Sequence, residues 1–140
     1  MKGSWNPPQP DSVKSILIVE DDPGIRDTLE EVFEGETIHQ VLLAEDGETA
    51  LEILQTATPT LFLLDYKLPG MNGLELTKCI RGIKGYERTP VFLMSANIFQ
   101  EDLSKFQLKY VRKPFELDEL LQLVEEALAE QDHQVQIAND

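Results

Sequence analysis

The chain has 140 residues, 41% of them hydrophobic, with twelve Lys and Arg against twenty-six Asp and Glu and a formal net charge of −14. That size predicts one domain around one core, and the charge argues against a surface that grips nucleic-acid phosphates, which is built on Lys and Arg. The longest apolar runs, Ile16 to Val19 and Leu61 to Leu64, are too short for a membrane span, and the one cysteine, Cys79, cannot form an internal disulfide.

Residues 1–12 read as a flexible lead-in. Met1 to Pro10 holds Trp5 and three prolines without the hydrophobic stretch of a secretory signal, which points to the cytoplasm. Ile16 to Val19 is a β-branched apolar run suited to a strand covered on both faces. Pro23 suits a first helical turn, and Ile25, Leu29, Val32 and Phe33 follow on one stripe, with Gly35 near its end. Val41 to Ala44 reads as the next strand, and Asp46 as the N-cap of a helix through Ala50, Leu51, Ile53 and Leu54.

The alternation continues with a strand at Leu61 to Leu64 and a helix at Gly73 to Lys84 that turns Leu76, Cys79, Ile80 and Ile83 inward, making Cys79 a buried structural thiol. Val91 to Met94 and Tyr110 to Arg112 are the remaining strands. The last helix, Leu117 to about Ala129, has an apolar arc wider than one core face needs. That arc suits either extra packing or an exposed edge used for dimerisation or a partner. A polar tail, residues 130–140, follows a domain placed at 13–129. This pattern predicts an α/β fold, a parallel sheet with helices on both faces.

Charge is uneven along the chain. Glu20 to Glu52 carries twelve acidic residues and one basic, Arg26, whereas Lys67 to Lys113 carries nine basic and four acidic. His39 and His133 have no metal-like partners nearby in sequence and read as surface or strand residues.

In parallel sheets ligands bind at the carboxyl ends of the strands. Those positions hold Glu20, Asp21 and Asp22 after the first strand, Asp65 after the third, Ser95 after the fourth and Lys113 after the fifth. Carboxylates converging in a desolvated pocket repel one another, and a hard divalent cation with oxygen ligands relieves that. Magnesium suits a small open cluster, because it keeps several waters and takes one or two carboxylates plus phosphate oxygen. Asp65 ends an apolar strand and needs a cation or donor to remain ionised there; Lys113 is such a donor, and Ser95 offers a hydroxyl. Asp22 suits the cap of the first helix, with a third ligand as the alternative. These groups surround a place where a phosphoryl group on Asp65 would sit.

The segments Ile18-Val19-Glu20-Asp21-Asp22, Leu64-Asp65-Tyr66-Lys67-Leu68-Pro69-Gly70-Met71-Asn72-Gly73, Leu93-Met94-Ser95-Ala96 and Tyr110-Val111-Arg112-Lys113-Pro114-Phe115 closely resemble the receiver domains of two-component response regulators. The resemblance covers about Val13 to Ala129. It implies a doubly wound five-stranded sheet of order 2-1-3-4-5, with Asp65 as phosphoacceptor and Asp21 bound directly to magnesium. Glu20 would hold the ion through water or complete the acidic pair, and the backbone carbonyl of Lys67 would be a further ligand. By the same resemblance Ser95 and Tyr110 form a switch, Lys113 pairs with the phosphoryl group, and the Lys113-Pro114 bond is cis.

Its partners would be a histidine kinase or histidine phosphotransfer protein, and downstream a protein target or a linked output domain, with phosphorylation-dependent dimerisation open to it. The chain would then be a signalling module and not an enzyme acting on outside substrates. Lys67 and Asn97 stand where receiver side chains tune attack of water on the phosphoryl group.

One interval departs from the pattern. Ser95 to Lys113 is about four residues shorter than usual, close to one helical turn, and lacks the small Gly-Ala pair before the last strand. The fourth helix, around Gln100 to Phe106, is therefore expected to be short or irregular. This leaves a second reading, a receiver-like interaction domain that works without phosphorylation. A third, an aspartate-nucleophile phosphatase, needs a second carboxylate two residues after the nucleophile, where Lys67 stands.

Overall fold

In the computed structural model, residues 13–97 and 104–139 are described, with side chains through residue 132. The lead-in and residues 98–103, which hold most of the expected irregular helix, lie outside them. The elements run β1 (Ser15–Val19), α1 (Pro23–Glu36), β2 (Gln40–Ala44), α2 (Gly47–Ile53), β3 (Leu61–Asp65), α3 (Gly73–Arg81), β4 (Val91–Ser95), β5 (Leu108–Arg112) and α4 (Leu117–Asn139). All pairings are parallel and the order is β2-β1-β3-β4-β5, the doubly wound sheet expected.

Successive strand residues point to opposite faces, and both faces are apolar. Ile16, Ile18, Leu61, Leu63, Phe92 and Met94 meet Leu29 and Phe33 of α1 and Leu120, Val124 and Leu128 of α4. Leu17, Val19, Phe62, Leu64 and Leu93 meet Ala50 of α2 and Leu76 and Ile80 of α3. Tyr86 closes that second layer edge-on against Phe62, with ring centroids 5.5 Å apart. This double covering is why the central strands β1, β3 and β4 are nearly unbroken apolar runs. Among the described residues no helix is long and apolar enough to cross a membrane.

Several local expectations need correction. Cys79 is exposed, because the buried stripe of α3 is Gly73, Leu76, Thr77 and Ile80 and Cys79 lies about 110° from its centre at 3.6 residues per turn. Thr77 occupies the core side by giving its hydroxyl to Gly73 O at 2.8 Å. Ile83 is also exposed, since α3 stops at Arg81 with Gly82 as its cap. Gly35 lies inside α1, which ends at Glu36 with Thr37 as its cap, the Thr37 N–H donating to Phe33 O.

α4 continues ten residues beyond Ala129, to Asn139, so residues 130–139 of the polar tail are helical. Contacts that tie this extension down include an ion pair of Asp132 with Lys14 and a hydrogen bond from Gln131 Nε2 to Thr60 O at 3.3 Å. Part of the wide apolar arc is exposed, at Leu123.

His39 is buried rather than on the surface. Its Nδ1 accepts from Lys14 N at 3.0 Å, and its Nε2 lies 2.9 Å from Glu125 Oε1. The side chain of His133 falls outside the described residues.

One side chain organises the entries to β4 and β5. Arg81 donates to Phe106 O at 3.0 Å, Tyr86 O at 2.8 Å, Thr89 O at 2.7 Å and Gln107 O at 3.4 Å. Lys78 and Lys105 stack on the Phe106 ring, each 5.4 Å from its centroid. Gln107 then takes φ 56°, a left-handed conformation that glycine adopts without strain. The missing Gly-Ala pair thus leaves a strained glutamine held by Arg81. Replacing Arg81 with Met keeps the bulk and removes four donations, and should lower unfolding stability by about 2 kcal/mol. A urea midpoint that falls at unchanged slope would show it; a midpoint equal to wild type would mean that water satisfies those carbonyls equally well.

Candidate functional site

The sheet ladder runs one residue past three strands at their carboxyl ends. Glu20 N donates to Ala44 O at 3.0 Å, Tyr66 N to Met94 O at 2.9 Å and Lys113 N to Ser95 O at 2.9 Å. These bonds fix Glu20, Asp65, Ser95 and Lys113 along one edge. Asp22 caps α1, its Oδ1 accepting from Ile25 N at 3.0 Å, and is not part of the acidic group. Asn72 caps α3 reciprocally with Glu75, after a turn in which Gly70 takes φ 79°.

Gly73 is required by closeness. A Cβ there would lie 2.5 Å from Asp65 O and 2.7 Å from Leu93 Cδ1. Its N–H donates to Tyr66 O at 2.8 Å, which presses the start of α3 onto the end of β3.

Glu20, Asp21 and Asp65 each bring a carboxylate oxygen within 4.8 Å of the others, with Glu20 and Asp65 buried and Asp21 exposed. Lys113 Nζ lies 2.8 Å from Asp65 Oδ1 and 3.6 Å from Glu20 Oε1. Glu20 Oε2 accepts from Asp22 N at 3.2 Å, but its Oε1 is buried without a hydrogen-bond partner. Burial pushes the Glu20 carboxyl up to about 7; the Asp22 N–H opposes this, the nearby Asp65 charge adds to it, and Lys113 opposes it in turn. On Lys113, burial works against the charge, but the hydrogen bond and charge of Asp65, with the Glu20 charge adding to them, outweigh it and raise its pKa.

The residues fit a hard divalent cation. The donors are all carboxylate oxygens, and one is orphaned in a buried position where an ion or its water would satisfy it.

Ser95 is buried, and its Oγ accepts from Asn97 N at 3.1 Å. Tyr110 is half-buried and donates its hydroxyl to the Ser95 carbonyl at 2.8 Å, not to the Ser95 hydroxyl. Lys67 is exposed in the turn after β3. The Lys113-Pro114 bond is cis, as expected.

Arg26 went unassigned in the sequence. It donates from Nη1 to the Glu20 carbonyl at 2.9 Å, and its sequence signal was its isolation as the one basic residue between Glu20 and Glu52.

The response regulator receiver domain matches residues 16–125. The chain is 39% identical over 119 residues to sporulation initiation phosphotransferase F of Bacillus subtilis, covering 82% of this chain and 94% of that protein. It is 34% identical to the DNA-binding transcriptional regulator NtrC of Escherichia coli, covering 89% of this chain but only 27% of NtrC. Among solved structures, the chemotaxis response regulator CheY4 of Vibrio cholerae aligns at a TM-score of 0.76 with 25% identity, over 84% of this chain and all of that one. The response regulator TrrA of Thermotoga maritima, solved in complex with Mg(2+)-BeF, aligns at 0.72 with 36% identity, over 83% of this chain and 100% of that one. With its doubly wound sheet and its acidic cluster at the strand ends, the chain belongs to the response regulator receiver domain family of two-component systems.

Proposed function

We propose that Asp65 accepts a phosphoryl group from a phosphohistidine of a histidine kinase or phosphotransfer protein, in a magnesium-dependent reaction in the cytoplasm. The observation that carries this is Lys113 Nζ at 2.8 Å from Asp65 Oδ1, beside the Glu20 and Asp21 carboxylates. An Asp65 oxygen attacks phosphorus in line, a P–O bond forms, the P–N bond to the donor imidazole breaks, and the imidazole leaves with a proton. A divalent cation held by Glu20, Asp21 and Asp65, with the Lys67 carbonyl as a further ligand, would neutralise the carboxylates and the equatorial phosphoryl oxygens.

Lys113 then pairs with a phosphoryl oxygen in place of the Asp65 carboxylate. The Ser95 hydroxyl leaves Asn97 N for another oxygen, and Tyr110 gives up the Ser95 carbonyl and turns inward. Lys67 and Asn97 flank the acyl phosphate and set its hydrolysis; equal rates for wild type and Lys67→Ala would remove Lys67 from that role. The output is a changed surface read by a protein partner, a linked output domain or a second copy of the chain, without direct contact to nucleic acid. The chain promotes only its own phosphorylation and dephosphorylation and acts on no outside substrate.

The test is intact mass after incubation with acetyl phosphate, with and without magnesium, for wild type and Asp65→Asn. One added phosphoryl group is expected on wild type alone and only with the metal. No addition and no magnesium binding would instead favour a domain that docks without phosphorylation.

A further inference from the structure

From Glu20 to Glu52 twelve acidic residues accompany a single cation, Arg26. A guanidinium in that company is expected to take a carboxylate, the planar partner that it fits best. Arg26 makes no ion pair among the described residues. Glu45 lines the same hollow at the carboxyl end of β2, yet no salt bridge joins the two. Arg26 is half-buried, and its Nη1 donates instead to a backbone carbonyl, that of Glu20, at 2.9 Å.

This carbonyl belongs to the peptide unit that joins Glu20 to Asp21. A peptide unit is planar, so a hold on its oxygen constrains the direction in which Asp21 leaves the strand. Glu20 is secured in other ways too, its N–H donating to Ala44 O at 3.0 Å and its Oε2 accepting from Asp22 N at 3.2 Å. Asp21 is not. It is exposed, and its carboxylate accepts no hydrogen bond and makes no ion pair among the described residues. One of its oxygens nevertheless lies within 4.8 Å of those of Glu20 and Asp65, where carboxylates repel one another. The other end of the brace is anchored in the first turn of α1. There Arg26 N donates to Asp22 O at 2.9 Å, and the Asp22 carboxylate caps the helix.

We infer that Arg26 is a positioning residue for the divalent cation: by holding the Glu20 carbonyl it aims the Asp21 carboxylate into the cluster. This rests on the phosphoacceptor reading, which supplies the magnesium, and deepens it. Groups that orient metal ligands from behind carry about tenfold or more of the affinity. Charge alone acts the other way, since a guanidinium beside a cation site repels the ion and its removal should tighten binding. The sign of the change therefore separates positioning from the plain effect of charge.

The full chain, ¹⁵N-labelled, is titrated with magnesium chloride and followed by NMR at the Asp21 and Asp65 backbone amides, for wild type and for Arg26→Met, which keeps an apolar stem. The variant should bind magnesium about tenfold more weakly. Without metal, its Asp21 amide should gain fast mobility in ¹⁵N relaxation, while the amides of Leu29 in α1 and Ala44 in β2 stay as in wild type. Binding equal to or tighter than wild type, or an Asp21 amide no more mobile, would overturn the positioning role. So would weaker binding with the same gain of mobility at Leu29 and Ala44, which would mean a loosened fold. Wild type that fails to bind magnesium would overturn the phosphoacceptor reading itself, so the two failures are told apart.

Discussion

Gly73→Ala should unfold at a markedly lower denaturant concentration than wild type and lose most of its capacity to accept a phosphoryl group. The added Cβ meets the Asp65 carbonyl at 2.5 Å, Leu93 Cδ1 at 2.7 Å and Tyr66 Cα at 3.0 Å. Two of these atoms are backbone, so no side-chain rotation relieves the overlap. Either α3 lifts from the sheet, breaking the bond from Gly73 N to Tyr66 O, or the end of β3 shifts and takes the Asp65 carboxylate from Lys113. The expected cost is about 3 kcal/mol, the upper part of the range for overpacking a tight core. Chemical denaturation reads the first effect and acetyl phosphate labelling the second. Alanine behaving as wild type in both would show that the approach of α3 is looser than these distances require.

His39→Ala should cost a similar amount, about 3 kcal/mol, because it removes a fully buried ring, leaves Lys14 N without its acceptor and takes the neighbour from the Glu125 carboxyl. The side chains of His39 and Glu125 are 0% and 7% exposed. Their facing atoms lie 2.9 Å apart, but neither makes a well-aligned hydrogen bond. Since Nδ1 accepts from Lys14 N, the ring proton sits on Nε2, toward Glu125.

Burial raises the Glu125 carboxyl above its ordinary 4.5, and His39 only partly offsets it. The sign follows. The folded state holds that proton more tightly than the unfolded chain, so this contribution to stability is fully present below the ordinary value and is lost as pH rises through the raised one. Glu125→Gln cannot titrate there. The stability of wild type relative to this variant should therefore fall as pH is raised from about 4.5 toward neutrality. A pH-independent difference in urea unfolding would mean that the carboxyl is not perturbed in the fold.

The acidic site was legible because Glu20, Asp65 and Ser95 end or follow apolar runs and Lys113 follows the last strand, and a parallel sheet gathers such positions at one edge. Asp65, Lys113 and Glu20 meet there as the pattern predicts. The sheet itself was legible for the same reason, since strands covered on both faces leave unbroken hydrophobic runs.

What escaped was decided by long-range partners or by short helices. In the nine residues of α3, a threonine that satisfies its own hydroxyl displaced a cysteine from the core side. His39 gave no local sign of Glu125, because the pair joins the entry to β2 with the last helix. The polar residues after Ala129 concealed a helix whose hold on the sheet comes from Lys14 and Thr60, far away in sequence. Arg81 looked like one more surface cation because its four acceptors are backbone carbonyls, to which no residue type points.

That guanidinium also sets the mechanics of the sheet. By gripping the carbonyls of residues 86, 89, 106 and 107 it ties the amino ends of β4 and β5 to α3 at one point. Ser95 and Lys113 stand at the opposite, carboxyl ends of the same two strands, about 17 Å away for five residues of strand. Clamp and site are therefore joined through strands whose register is held on both sides of β4.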